Sequence, residues 1–391
     1  MIGRLTRYVR KNGGLTSSVK SFRYAVQRYG LKPVLFRSVA NEAERRIFTY
    51  EDWIEQLETK YITSEVQAEI EQLKIKPLIS LVIPVYNVPE KYLRECVDSI
   101  LNQYYQNWEL CIADDCSTEP QVKKVLKEYE AKDNRIKVVY RKENGHISKA
   151  TNSALELATG DFIGFVDNDD ILKAEALFEV IKKINEQPDV DMIYSDEDKL
   201  VEDTGKRVDP YFKPDWSPDT FMSQMYTCHF AVYRADLVNE IGGIRVGYEG
   251  AQDYDFVLRF TEKTNKIAHI DKILYHWRII PTSTAGGGSA KDYAFDAAVR
   301  AKYDAIKRRN LDAVLVEHPE LGATNIKYRL KAEDFISIII PTKNHGADVK
   351  KCIDSVYQKS TWRNFEIILV DNGSDDEASL AIFKDLQAKN V

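Results

Sequence analysis

From Leu78 onward, short apolar runs alternate with amphipathic stretches: "LISLVIP", "KYLRECVDSILNQ", "WELCIADD", "PQVKKVLKEYEAK", "RIKVVYR", "SKATNSALELA", "DFIGFVD" and "EALFEVIKKI". Strand-length runs that trade places with helix-length runs predict parallel strands joined by crossover helices. The expected fold class is α/β, an open, doubly wound and mostly parallel sheet. In such sheets ligands gather beyond the carboxyl ends of the strands. Three of those ends are polar here: Tyr86-Asn87, Asp114-Asp115 and Asp167 to Asp170.

The third end carries the most charge. "GDFIGFVDNDDIL" (160–172) sets Asp167, Asn168, Asp169 and Asp170 directly behind an apolar strand. Asp170 precedes the helical pattern "ILKAEALFEVIKKI" and reads as its cap, since a side-chain oxygen there satisfies free N–H groups of the first turn. Three carboxylates exceed what a cap needs. Each like-charged pair a few ångströms apart costs about 1 kcal/mol in water and more when partly buried, so the cluster calls for a cation.

The net charge of −6 over 391 residues is unevenly spread. Residues 1–40 hold nine Lys or Arg and no acid, which leaves −15 on the remainder. Within this arm Val19, Phe22, Val26 and Tyr29 recur at helical spacing beside Lys20, Arg23 and Arg28. That pattern suits an anionic membrane surface or docking on the acidic body. Nucleic acid is not an expected partner, because the acidic body would repel it. No apolar run reaches the roughly 20 residues of a membrane span, and the N-terminus lacks the apolar core of a signal peptide. The expected location is cytoplasmic, peripheral on the inner face of the plasma membrane if the arm binds lipid. Five cysteines without a CxxC pair support neither a zinc ribbon nor a disulfide framework.

An internal repeat divides the chain. "LISLVIPVYN" (78–87) returns as "FISIIIPTKN" (335–344), and "NWELCIADDCST" (107–118) as "NFEIILVDNGSD" (364–375), each 257 residues later. The expected domains are a basic, helical N-terminal region (1–76), an α/β domain (77–330) and the start of a second copy (335–391). The second copy stops before any equivalent of "DNDD".

An ordered series of motifs, "SLVIPVYN", "ADDCST", "ENGHISKATNSALELATGDFIGFVDNDD", "GAQDYDFVLR" and "YHWRIIPTSTA", resembles the family 2 glycosyltransferases of GT-A fold over residues 78–285. It is similar in particular to those of bacterial cell-surface polysaccharide and rhamnan assembly. The resemblance implies inverting transfer of a sugar from a nucleotide diphosphate sugar, dTDP-rhamnose or a UDP-sugar, to a hydroxyl of a cell-surface glycan or lipid-linked saccharide. It also implies Mn²⁺ or Mg²⁺, and the chemistry agrees: a departing diphosphate must be neutralised, and an acidic protein does so through a divalent cation held by carboxylates, often with a histidine for manganese.

By the same resemblance Pro84, Val85 and Tyr86 line the base, and Asp115 accepts from a pyrimidine N3–H. Arg141, Asn144, Gly145, Lys149 and Asn152 fall in the loop facing the donor, although Lys149 stands where the family has a small residue. Asp167-Asn168-Asp169 matches the DxD motif, with Asp169 on the metal and Asp167 and Asn168 near ribose or metal. His276 in "YHWR" matches a second metal ligand. An acceptor alcohol needs a general base, typically worth 10²- to 10⁴-fold. The family's base is the second acid of a pair, which is Asp253 here, with Gln252 in place of the first. Asp255 is expected to be a surface or capping acid. Trp216 is a candidate to stack on an acceptor sugar, and Asp196, Glu197 and Asp198 are candidates to coordinate sugar hydroxyls, an exposed loop being the alternative. "PTSTAGGGSA" has the composition of a lid or a linker.

Other classes fit less well. A DxD phosphotransferase opens its domain with the motif, whereas some 85 residues of α/β chain precede it here. An EF-hand would place Asp or Asn and then Gly where Ile171 and Leu172 stand. No GxGxxG follows the first strand, and no Gly-rich phosphate loop replaces "PVYNVPEKY". The non-enzymatic alternative is a silent glycosyltransferase-like scaffold.

Overall fold

The computed structural model describes residues 48–280, 290–318, 323–329, 331 and 334–388. The basic arm (1–40) and most of the Gly/Ser-rich run after Ile280 lie outside them. In chain order the elements are α1 (Tyr50–Gln56), α2 (Thr63–Gln72), β1 (Ile79–Val85), α3 (Glu90–Leu101), β2 (Trp108–Asp114), α4 (Pro120–Lys132), β3 (Ile136–Tyr140), α5 (His146–Leu155), β4 (Phe162–Phe165) and β5 (Ile171–Leu172). Then come α6 (Ala176–Glu186), β6 (Met192–Val201), β7 (Lys206–Tyr211), α7 (Pro218–Ser223), β8 (Ala231–Arg234), α8 (Ala235–Glu240), α9 (Gln252–Phe260), β9 (Ile267–Ile279) and α10 (Ala290–Arg308). The chain ends with β10 (Ala313–His318), β11 (Ala323–Tyr328), β12 (Ile336–Thr342), α11 (Gly346–Lys359), β13 (Phe365–Asp371) and α12 (Glu377–Ala388). Two compact units result: one runs to Ala297 without Met222–Gln224, and the other comprises those three residues and Ala298 onward.

The first unit is built on a nine-stranded sheet of order β3-β2-β1-β4-β8-β6-β9-β5, with β7 added to β6. The half that the sequence rhythm describes, β3-β2-β1-β4, pairs parallel throughout. Its inner strands β1 and β2 are buried on both faces, and Ile79, Leu81, Val82, Ile83, Leu110 and Ile112 have no exposed surface. This is why they read as continuous apolar runs rather than as alternating ones. The other half is mixed: β8 runs antiparallel to both β4 and β6, while β6 and β9 pair parallel.

The described part of the expected helical N-terminal region (1–76) supplies α1 and α2, and residues that follow α1 attach to the sheet and its flanking elements through polar contacts. Glu58 pairs with Arg207 (2.7 Å) and Lys173 (3.0 Å), and the Tyr61 hydroxyl donates to Glu179 at 2.8 Å.

The repeat holds at the level of single hydrogen bonds. β12 pairs parallel with β13 in the register of β1 with β2, Ile336 facing Phe365 as Ile79 faces Trp108. Ser337 donates to Glu366 as Ser80 does to Glu109. Asn344, in the left-handed region like Asn87, accepts from the Asp375 N–H as Asn87 accepts from Thr118. The frame is the same but its covering differs. Ile336 is 47% exposed where Ile79 is 0%, and among the described residues β12 pairs with β13 alone.

Candidate active site

Adjacent parallel strands β2, β1 and β4 bring their carboxyl ends together. Asp115, one residue past β2, is buried and tied to its neighbours on both sides. Its N–H donates to Val85 O (2.8 Å), and its Oδ1 accepts from Arg141 Nε (2.7 Å) and the Gly145 N–H (2.9 Å). A Cβ at Gly145 would meet Arg141 Nη2 at 2.5 Å and Lys149 Cβ at 2.9 Å, so a larger residue there would displace the guanidinium that Asp115 holds. Tyr86 is 48% exposed at the end of β1, whereas the Val85 side chain is buried in the core and brings only its carbonyl to the site. Asp114 accepts from the Ser117 N–H at 3.0 Å and shapes the turn. Asn144 donates to Asp115 O (3.2 Å), and Asn152 exchanges two hydrogen bonds with the Ile244 backbone (2.8 and 2.9 Å), fastening α5 to the 243–251 loop. Lys149 is exposed.

The "DNDD" loop is held from three directions. Asn168 donates to Pro84 O (2.7 Å), Cys96 Sγ reaches Asp167 O (3.3 Å), and Arg278 Nε donates to Asp169 O (2.6 Å). Asp170 is not a helix cap. A two-residue strand, β5, follows it, and α6 begins only at Ala176; the Asp170 carboxylate instead accepts from the Tyr275 hydroxyl (2.7 Å) and the Arg278 N–H (2.7 Å). Burial, then the charge of Asp167, push its pKa up to about 8. Asp169 is raised by the same two causes, and its carboxylate has no side-chain partner among the described residues.

Across from Asp167 stands His229, a residue the sequence reading missed. The antiparallel β4–β8 register (Phe162 with Arg234, Gly164 with Val232), continued past the strand ends, sets residue 167 opposite residue 229. His229 Nε2 lies 3.1 Å from Asp167 Oδ2, and its ring stacks on Tyr275 at 5.0 Å. Burial alone would raise Asp167 and lower His229; their hydrogen bond and mutual charge overcome it, so Asp167 falls below the usual carboxylate range and His229 rises well above the usual imidazole value. The only signal in the sequence is a histidine directly before the apolar run "FAVYR".

Asp167, Asp170 and His229 offer ligand atoms within 4.8 Å of one another. The donor set fits a hard divalent cation. Two ligands at about 2.1 Å from an octahedral ion stand about 3 Å apart, which is the Asp167–His229 separation, and the carboxyl of Asp169 is close enough to feel the charge of Asp167.

His276 is not brought to this cluster. Alternate residues of a strand face opposite ways: Tyr275 and Trp277 of β9 pack against His229, while His276 points the other way and its Nδ1 bonds Asp198 at 2.5 Å. The acids of β6 are buried and committed rather than free for sugar hydroxyls. Asp196 bonds His269 (2.8 Å), Glu197 bonds Lys213 (3.0 Å), and Asp198 bonds Arg207 (2.6 Å). Trp216 is half-buried, with its ring 5.1 Å from that of Phe221.

Asp253 lies in the first turn of α9. Solvent reaches the residue, yet protein surrounds its carboxyl closely enough that desolvation raises the pKa; the Tyr254 N–H (2.8 Å) and the charge of His229 reverse this only in part. The Gln252 amide accepts from the Gly250 N–H at 2.8 Å. Asp255, expected at the surface, is fully buried between Arg245 and Arg259 (2.9 Å), and Arg259 also binds the Ile241 and Gly243 carbonyls. It anchors the loop that leads to Asp253.

Residues 80–242 and 337–391, more than half of the chain, match the model of the family Glycosyl transferase family 2. The chain is 42% identical over 327 residues to protein y4gI of Sinorhizobium fredii, across 82% of this chain and 36% of that protein. It is 35% identical over 335 residues to the O-antigen biosynthesis protein RfbC of Myxococcus xanthus, across 86% of this chain and 26% of that protein. It thus spans about a third or less of the length of these relatives. A solved structure of S. aureus TarS 1–349 in complex with UDP-GlcNAc gives a TM-score of 0.48 at 24% identity, over 58% of this chain and 66% of that one. The motif series, the sheet with its acidic strand ends and the family match lead to one conclusion: the chain belongs to glycosyl transferase family 2.

Proposed function

We propose that the first unit performs inverting, metal-assisted transfer of a sugar from a nucleoside diphosphate sugar to a saccharide hydroxyl. The observation that carries this reading is the grouping of Asp167, Asp170 and His229, next in the chain to Asp169, whose carboxylate has no side-chain partner among the described residues; Asp253 is close enough for the charges of His229 and Asp167 to act on it. Asp167, Asp169 and His229 would hold Mn²⁺ or Mg²⁺, which when bound neutralises the departing diphosphate. Asp115, fixed by Arg141 and Gly145, presents an immobile acceptor to a pyrimidine N3–H, with the exposed Tyr86 ring beside it. This favours a UDP- or dTDP-sugar, dTDP-rhamnose included. Asp253 takes the acceptor proton. A cell-surface glycan or its lipid-linked precursor as acceptor accords with the name of the RfbC relative.

A panel of nucleotide sugars with Mn²⁺ tests the reading. We expect one UDP- or dTDP-sugar to be turned over, and Asp169→Ala to remove metal-dependent turnover while the melting temperature is kept. Retention of that turnover in the variant would sink the assignment. The basic arm is proposed to seat the enzyme on anionic membrane. Deletion of residues 1–40 should abolish co-sedimentation with phosphatidylglycerol vesicles, and unchanged sedimentation would remove this role.

A further inference from the structure

Behind His229, on the side away from Asp167, lies a buried ion pair for which the proposed reaction has no direct use. The Lys213 side chain is 0% exposed. Its Nζ donates to Glu197 Oε2 (3.0 Å), to Thr227 O (2.7 Å) and to His229 O. The same Glu197 oxygen accepts the His229 N–H at 2.8 Å and faces the ring Nδ1 at 3.6 Å. That Nδ1 is fully buried and makes no hydrogen bond. Tyr275 lies nearly parallel to the imidazole, at 11°, and the Trp277 ring is tilted against it at 5.8 Å.

We propose that Glu197 and Lys213 are positioning residues: they fix the backbone of residues 227–229 and hold the His229 ring with Nδ1–H toward Glu197, so that the Nε2 lone pair is turned to the cation shared with Asp167. This inference rests on the metal-assisted reading above. Stability does not account for the pair, because burying a lysine and a glutamate costs several kcal/mol per ion, and an apolar pair of equal volume is often at least as stable. Orientation does account for it. One carboxylate oxygen accepts the main-chain N–H of the histidine and stands 3.6 Å from its ring Nδ1, and the lysine donates to the carbonyls on either side of Cys228. A neutral imidazole carries one N–H, and the nitrogen that faces a carboxylate keeps it, leaving the other free as a ligand.

The test uses the full chain and Mn²⁺ alone as the probe, titrated calorimetrically into wild type, Glu197→Gln and Lys213→Met, each first checked by thermal melting. We expect both variants to bind Mn²⁺ about 10–100-fold more weakly, with UDP affinity in the absence of metal unchanged. A folded Glu197→Gln that binds Mn²⁺ like wild type overturns the proposal. Nitrogen-15 NMR of wild-type His229 loaded with Cd²⁺, a diamagnetic ion of similar size, decides the matter even if neither variant folds. An Nδ1–H signature supports the role and an Nε2–H signature overturns it. A wild type that binds neither Mn²⁺ nor UDP overturns the proposed function as well; normal wild-type binding with unaltered variants overturns the positioning role alone.

Discussion

Asp253→Asn is expected to lower kcat/KM for sugar transfer by about 10²- to 10⁴-fold while Mn²⁺ and donor affinities stay within about threefold. The amide keeps the size of the carboxyl and can still accept the Tyr254 N–H, so the helix start is conserved and only the proton acceptor is lost. The raised pKa of Asp253 adds a second readout. If Asp253 is the base proposed above, its carboxylate is the active form, so wild-type kcat/KM should climb with pH through a limb lying above the ordinary carboxylate range, and the variant should lack that limb. Steady-state kinetics across pH together with donor titration checks both points. Loss of donor binding in Asp253→Asn would move the residue from acceptor activation to the donor side.

The second large effect concerns stability. Asp255→Ala should destabilise the first unit by about 3–5 kcal/mol, because it removes the fully buried carboxylate that offsets the buried Arg259 and also pairs with the partly exposed Arg245. Urea unfolding would report it as a lower midpoint at unchanged slope. Arg259 also caps the Ile241 and Gly243 carbonyls, so the loss is expected to loosen the 241–251 loop and reduce activity even where the protein remains folded. A change below about 1 kcal/mol would show that the arginines find other partners.

The acids at the ends of β2 and β4 were legible in the sequence for a physical reason. Strands buried on both faces leave a long apolar signature, and polar residues that interrupt it stand at the rim where ligands bind. The repeat was equally legible, since identical spacing reproduces the same register and the same Ser–Glu and Asn–Thr/Asp hydrogen bonds. Asp170 was misread as a cap because a local pattern cannot reveal that Tyr275 and Arg278, more than a hundred residues away, would claim its carboxylate. Asp255 was misread as a surface acid for the same kind of reason, its arginine partners being chosen by packing.

His229 and His276 mark the boundary between the two kinds of information. The sequence by itself determined that carboxylates are carried to the rim of a parallel sheet, because alternation of apolar strand and amphipathic helix has few other solutions. Only the tertiary structure decided which histidine joins them. Antiparallel pairing of β8 with β4 brings residue 229 across from Asp167, and the two-residue period of β9 turns His276 to the opposite face, toward Asp198. Register and facing are properties of paired strands, and neither is written in the spacing of one strand alone.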